Sequence, residues 1–308
     1  MLDSLTIVGH DRAIALLQQA VAKRHIAPAY LITGPGGIGR SLVVRYFAKL
    51  LLGGAAHKID QGNHPDLLWV QPTYLHQGNR ISVPEAVSIG YKSKSPPVIR
   101  IEQIREIIEF LGRSPLESSR QVVVLEEAQT MAEATANALL KTLEEPGRAT
   151  LLLIATGIDS LLNTIVSRCQ RIPLHPLNPD QMSRVLARRP EILADPVIMS
   201  LAQGSPGAAI AAWQQLQNLP AELKTYLGQF PDQPLAAMHL ARDLDKSLSL
   251  EEQLWLVDYL QHYHWQHPSI TKVETIARLE TAKEHLTRYV QPRLVWEVTL
   301  LGFTTSIG

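Results

Sequence analysis

Short unbroken apolar runs alternate with helical repeats along the first half of the chain. Helical repeats alone fill the second half. Ile14, Leu17, Ala20 and Val21 recur at helical spacing and predict a first helix over 9–24. Ala29-Tyr30-Leu31-Ile32-Thr33 is a run of strand type. Gly34-Pro35-Gly36-Gly37-Ile38-Gly39 reads as a turn, and Arg40–Leu52 as a helix stopped at Gly53-Gly54. Residues 55–66 are polar and predict no regular element. Leu67–Val70 predicts a strand. The proline-rich and polar stretch 71–100 predicts a long loop, with a short hairpin at Arg80–Val83. Ile101–Leu111 carries the amphipathic set Ile101, Ile104, Ile107, Ile108 and Leu111. Val122–Leu125 and Leu151–Ala155 are strand-like runs flanking a helix over Ala136–Glu145, which Pro146-Gly147 stops.

This order predicts an α/β domain over 1–173, a parallel sheet with helices on both faces. After Pro173 the strand-like runs disappear. Helices are predicted over Pro179–Ala187, with Asn178 as cap, and over Pro196–Ala202, Ala208–Gln217, Ala221–Phe230, Leu235–Leu244 and Leu250–His264. A last one runs over about Lys272–Leu301, broken at Pro292. We divide this part into a small helical lid, 174–210, and an all-α C-terminal domain, 211–308.

Composition narrows the classes. With 308 residues, 45% of them hydrophobic, the chain can bury substantial cores. No apolar run reaches the ~20 residues of a membrane span, and Met1–Thr6 lacks the basic-then-apolar pattern of a signal peptide. One cysteine excludes an internal disulfide and a multi-thiolate zinc site, and fits a reducing compartment such as the cytoplasm. The formal net charge of zero argues against a protein that holds nucleic acid unaided.

Four motifs carry candidate chemistry. Gly34-Pro35-Gly36-Gly37-Ile38-Gly39-Arg40-Ser41 matches the phosphate-binding loop at every defined position except its lysine. Gly34, Gly36, Gly37 and Gly39 let backbone N–H groups turn toward phosphate oxygens, and the following helix adds its positive end. Arg40 keeps the charge, but its planar fork does not fill a lysine's space. Glu126-Glu127 ends the Val122–Leu125 run. It stands either as a solvated acidic strand end or where an ATPase holds Mg²⁺ and polarises water; Glu126 is one methylene longer than the usual aspartate. Thr156 stands at the end of the next run, where a hydroxyl can orient water. Ser167-Arg168-Cys169 presents a guanidinium that is either an ordinary surface arginine or one that stabilises transition-state charge in an adjoining subunit. On 136–145, Leu139, Leu140 and Leu143 form a core stripe, and Lys141 and Glu145 are spaced to pair weakly.

Together these segments resemble the clamp-loader branch of the AAA+ ATPases. The resemblance rests on Gly9-His10, the Ala29–Gly39 run, Gly62-Asn63-His64-Pro65-Asp66, Ile101–Arg105, Ala136–Pro146 and Leu162–Gln170. It covers about the first 210 residues; beyond them only helical character and Arg293-Leu294-Val295-Trp296-Glu297 look familiar. It implies a P-loop domain, a lid and a helical collar. In this family three-domain subunits form a five-member ring that loads the sliding clamp onto primed DNA, in bacteria as part of the DNA polymerase III holoenzyme. The implied partners are tau/gamma and delta subunits, through the collar and AAA+ faces. The sliding clamp and primer-template DNA would be met through the complex. The arginine of the Ser-Arg-Cys motif is the family's finger. The resemblance therefore assigns Arg168 to the ATP site of an adjacent tau/gamma subunit.

The departures imply a subunit that does not hydrolyse ATP and requires no cofactor. Arg40 replaces the loop lysine, Glu126 the aspartate, and Gly207 stands where the family's lid arginine would follow Gly204-Ser205. Many relatives carry a cysteine cluster within 53–63; here it is missing, His57 and His64 cannot complete a four-ligand site, and no zinc is expected. Two alternatives remain: an active tau/gamma-type ATPase, and a DNA-binding module built on Arg80, Lys92, Lys94 and Arg100 of the 71–100 segment.

Overall fold

The computed structural model describes residues 7–53, 56–91, 93, 95–267, 272–288 and 290–304. The chain separates into two compact units, 1–184 and 185–308. The boundary expected at 210/211 falls inside a helix, Pro206–Asn218, so helices assigned to lid and to collar lie in the same unit.

In the first unit, α1 (Asp11–Ala22) leads to β1 (Ala29–Thr33) and α2 (Arg40–Leu52). A short α3 (Ala56–Asp60) precedes β2 (Leu67–Val70). It departs from the irregular segment expected at 55–66. Its one fully buried side chain, Ile59, anchors it, and Lys49 pairs with Asp60 at 2.6 Å; five residues are too few to show a helical repeat. Gly53 caps the C-terminus of α2, as expected; Gly54, expected at the same stop, lies outside the described residues.

The 71–100 segment is more ordered than the loop expected from its prolines. β3 (Thr73–His76) and β4 (Asn79–Ser82) form an antiparallel hairpin. Its two-residue turn is Gln77-Gly78, with φ of 50° and 81°, the geometry that matches strand twist in tight hairpins. The hairpin therefore centres four residues earlier than Arg80–Val83. Ser82 and Glu85 then start α4 (Val83–Ser88) with a reciprocal capping box. Thr73 and Val98 exchange backbone hydrogen bonds at 3.0 and 3.2 Å and close the base of the insert.

α5 (Ile101–Leu111), β5 (Gln121–Leu125), α6 (Glu133–Glu144), β6 (Ala149–Ala155), α7 (Asn163–Val166), β7 (Gln170–Pro173) and α8 (Pro179–Leu186) follow, α8 running two residues past the boundary between the units. Asn178 caps α8, its Oδ1 accepting from the Gln181 amide at 2.9 Å. The strands form one five-stranded sheet in the order β2-β5-β6-β1-β7, every pair parallel. β1, β5 and β6 are buried along their whole length, as strands covered on both faces must be. β7 was not predicted. Among its residues only Ile172 is buried, because an edge strand has one open side, where Pro173 is also tolerated.

The Gly62–Asp66 segment is structural. Asp66 is 1% exposed, and its carboxylate accepts from the amides of Leu116, Glu117 and Ser118 at 2.6, 2.8 and 2.7 Å. His64 Nδ1 accepts from the Asp66 amide at 3.1 Å. Burial pushes the Asp66 pKa up, but the three amides outweigh it and hold the carboxyl below its ordinary 3.8. A depressed folded-state pKa gives stability that is present above the unfolded value and lost as pH falls through the folded one. Asp66→Asn turns an amide N–H₂ toward these donors and is expected to cost about 3 kcal/mol at pH 7. Urea denaturation of the variant should also show a flatter decline between roughly pH 4 and 2 than the parent.

The second unit is all helical: α9 (Pro190–Leu193), α10 (Pro196–Ala202), α11 (Pro206–Asn218), α12 (Ala221–Lys224), α13 (Pro234–Ser247), α14 (Leu250–Gln266), α15 (Lys272–Thr287) and α16 (Pro292–Thr304). Asp195, Ser205 and Ser249 cap α10, α11 and α14. α12 stops well short of the helix expected to Phe230. Gly228 follows, where a Cβ would stand 2.8 Å from the Tyr263 hydroxyl, so the backbone there packs directly on α14. Pro292 divides the last two helices as expected. Among the described residues no helix is long and apolar enough to cross a membrane.

Candidate functional site

Three adjacent strands, β5, β6 and β1, deliver the candidate nucleotide residues to one end of the sheet. Gly34 follows the last residue of β1, Glu126 that of β5 and Thr156 that of β6. In a parallel sheet every carboxyl end faces the same way, and ligand crevices of open α/β sheets form there. Thr156 is exposed at this edge.

Three of the four loop glycines are required by backbone shape or space; Gly36 is not, since its φ is not positive and an added Cβ would meet nothing closer than 4.0 Å. Gly37 and Gly39 have φ of 74° and 103°, and Gly39 is the left-handed residue from which α2 starts. At Gly34 a Cβ would fall 2.6 Å from the Leu174 carbonyl oxygen, so no side chain fits. His10 Nε2 lies 2.8 Å from the Ile38 carbonyl oxygen and holds the far side of the loop.

The polar groups of the loop are engaged with the acidic pair. Arg40 is 7% exposed, and its Nη2 donates to Glu127 Oε1 at 2.6 Å. Its Nη1 is buried with no partner among the described residues. Glu127 has a φ of 48°, a left-handed conformation that costs a non-glycine residue about 1–2 kcal/mol. Its other carboxylate oxygen accepts from Gln129 Nε2 at 2.5 Å. The Ser41 hydroxyl donates to Glu126 Oε1, and Gln71 Nε2 donates to the second Glu126 oxygen. A hydroxyl and a carboxylate placed to hold Mg²⁺ are thus bonded to each other, and a fork stands where a lysine would meet phosphate. The four side chains are engaged with one another, and ATP–Mg²⁺ would meet Arg40 and Glu127 already paired. Gln71, one residue past β2, escaped the sequence argument. Its role depends on β2 pairing with β5, which no local pattern encodes.

Arg168 stands at the opposite end of the sheet. β7 begins at Gln170, which pairs with Tyr30 near the start of β1, while the loop begins at Gly34 past its end. Four residues of strand put roughly 13 Å between those levels, and Arg168 lies two residues further back. The arginine and the chain's own phosphate loop are therefore not one site. Arg168 Nε and Nη2 donate to Glu144 Oε1 at 2.9 and 2.5 Å, and Nη1 donates to the Thr164 carbonyl oxygen at 2.9 Å. The Ser167 hydroxyl donates to the same carbonyl at 3.2 Å. Cys169 is partly buried and packs against the sheet core, and burial pushes its thiol up to about 11. At neutral pH it is an inert packing group that seats the arginine's backbone.

The other candidates are dispersed. Gly207 lies in α11, in the second unit. Of the residues of the DNA-binding alternative, Arg80 is paired with Glu106 and Arg100 stands at the N-cap of α5 with its Nε buried; Lys92 and Lys94 lie outside the described residues. His64 is committed to its turn.

Residues 9–178 match the family model described as DNA polymerase III, delta subunit. Residues 180–303 match that of the cyanobacterial DNA polymerase III delta prime C-terminal domain. The chain is 31% identical over 214 residues to DNA polymerase III subunit delta' of Bacillus subtilis, covering 61% of this chain and 58% of that protein. It is 32% identical over 210 residues to DNA polymerase III subunit delta' of Pseudomonas aeruginosa, covering 62% and 57%. Its alignments thus span less than two thirds of these relatives' own lengths. A crystal structure of a DNA polymerase III gamma subunit-related protein from Thermotoga maritima shares the fold, with a TM-score of 0.54, 18% identity and coverage of 95% of this chain and 99% of that one.

Proposed function

Since this chain belongs to the DNA polymerase III delta-subunit family, we propose that it is a delta-prime-type subunit of a sliding-clamp loader. In that assembly it supplies Arg168 to the ATP site of a neighbouring tau/gamma subunit and does not turn over ATP itself. One observation carries this reading. The arginine and the phosphate loop sit at opposite ends of the sheet, and the loop's Arg40 and Ser41 are bonded to Glu127 and Glu126. A guanidinium that does not meet its own chain's loop is left available to another chain's nucleotide. Its partly exposed side chain, at 35%, is accessible to one. The helices over 211–308, in this reading, are the collar through which, together with the AAA+ faces, the chain joins tau/gamma and delta, with DNA and the clamp met by the assembled ring. It requires no zinc and no nucleotide of its own, and it works in the cytoplasm.

The same contacts speak against an active tau/gamma-type ATPase. The test is assembly with purified partners. The chain should co-elute with tau/gamma-type and delta-type subunits as one complex, and clamp loading should require it. Steady ATP turnover by the isolated chain, or full clamp loading without it, would sink the assignment.

A further inference from the structure

Glu144 ends α6 within a segment whose sequence suggested only a core stripe and a weak Lys141–Glu145 surface pair. The structure instead gives the acidic partner at this helix end to Arg168. The contact joins residues 24 positions apart, and both side chains are substantially exposed, at 35% and 51%. An ion pair in so much water contributes little to stability. Its geometry is more informative.

A guanidinium has five N–H donors in a fixed plane. Nε and Nη2 form one edge of that plane, and both donate to the single oxygen Oε1 of Glu144. Nη1 spends one donor on the Thr164 carbonyl. One N–H on each terminal nitrogen therefore remains without a partner among the described residues. Glu144 and Thr164 hold the plane without consuming both terminal nitrogens.

We propose that Glu144 is the positioning residue for Arg168: it fixes the fork by accepting along one edge, so that the remaining N–H pair meets phosphoryl oxygens of a neighbour's nucleotide. This rests on the assignment of Arg168 as a group acting in trans. The oxygen that accepts both bonds matters more than the negative charge, because a charge alone would attract the guanidinium without setting its plane. Preorganised donors act mainly on charge that develops in the transition state, so loss of positioning lowers kcat more than it raises KM.

The experiment uses the reconstituted loader and compares Glu144→Ala, Glu144→Gln and Arg168→Ala, with steady-state ATPase and clamp loading as readouts. Glu144→Ala should lower kcat about 10-fold with the KM for ATP nearly unchanged. Glu144→Gln keeps an oxygen at the Oε1 position and should recover most of the rate. Glu144→Ala added to Arg168→Ala should cause no further loss, since the two act as a unit. A full effect of Arg168→Ala with wild-type turnover in Glu144→Ala overturns the positioning role alone. Faster turnover in both Glu144 variants also overturns it and makes the pair an inhibitory latch. An Arg168→Ala variant with unchanged turnover overturns the assignment of Arg168 on which the inference rests.

Discussion

Arg168→Ala in a reconstituted loader is expected to lower ATP hydrolysis at the site the arginine serves by about 10³-fold, the lower end of the effect of an arginine finger in phosphoryl transfer. Clamp loading should fall with it. The argument is electrostatic. The γ-phosphoryl group spreads charge over its equatorial oxygens as it transfers, and a desolvated guanidinium opposite that charge does what water cannot. The loss should not come from unfolding. The side chain is 35% exposed, and its ion pair with Glu144 is of the kind worth about 0–1 kcal/mol. Denaturation midpoints of the variant should therefore match the parent. Arg168→Lys should recover little, because an ammonium has no planar edge to lay along Glu144 while an N–H on each of two terminal nitrogens stays available. Turnover equal to the parent in a correctly assembled complex would end the finger assignment.

Trp296→Ala is expected to destabilise the second unit by about 4 kcal/mol. Trp296 is fully buried in α16, at 0% exposure. Its Nε1 donates to Gln253 Oε1 at 2.8 Å, and Gln253 Nε2 donates to the Leu248 carbonyl at 3.0 Å. Alanine leaves a cavity among helices that cannot fully collapse, and strands a buried amide oxygen. Trp296→Phe retains most of the ring's volume and should cost roughly half as much, chiefly the lost N–H. Urea denaturation followed by circular dichroism measures both. A midpoint unchanged in the alanine variant would remove Trp296 from the core.

How much of this was legible in the sequence follows from which interactions are local. β1, β5 and β6 were legible because strands buried on both faces must be apolar at every position. The phosphate loop was legible because the left-handed conformations at Gly37 and Gly39 demand glycine. β7 was not, since Gln170-Arg171-Ile172-Pro173 has one buried residue and is a strand only because β1 lies beside it. The hairpin at Thr73–Ser82 was misplaced because its Gln77-Gly78 turn lacks the asparagine or aspartate that marks such turns most strongly. Glu144 passed as a helix-end carboxylate, because nothing near it in sequence shows what it meets.

The sequence by itself determined the chemistry available: an arginine in place of the loop lysine, a glutamate in place of the usual aspartate, and an intact Ser-Arg-Cys. Tertiary structure decided what those groups do. The parallel register of β7 on β1 joins residues some 140 positions apart and sends Arg168 to one end of the sheet and the phosphate loop to the other. The Arg40–Glu127 pair spans 87 positions and ties the loop to the acidic strand end. Side-chain spacing along the chain specifies which face of a helix or strand is buried. It does not specify which distant element lies opposite, and both the engaged phosphate loop and the outward-facing arginine follow from that pairing.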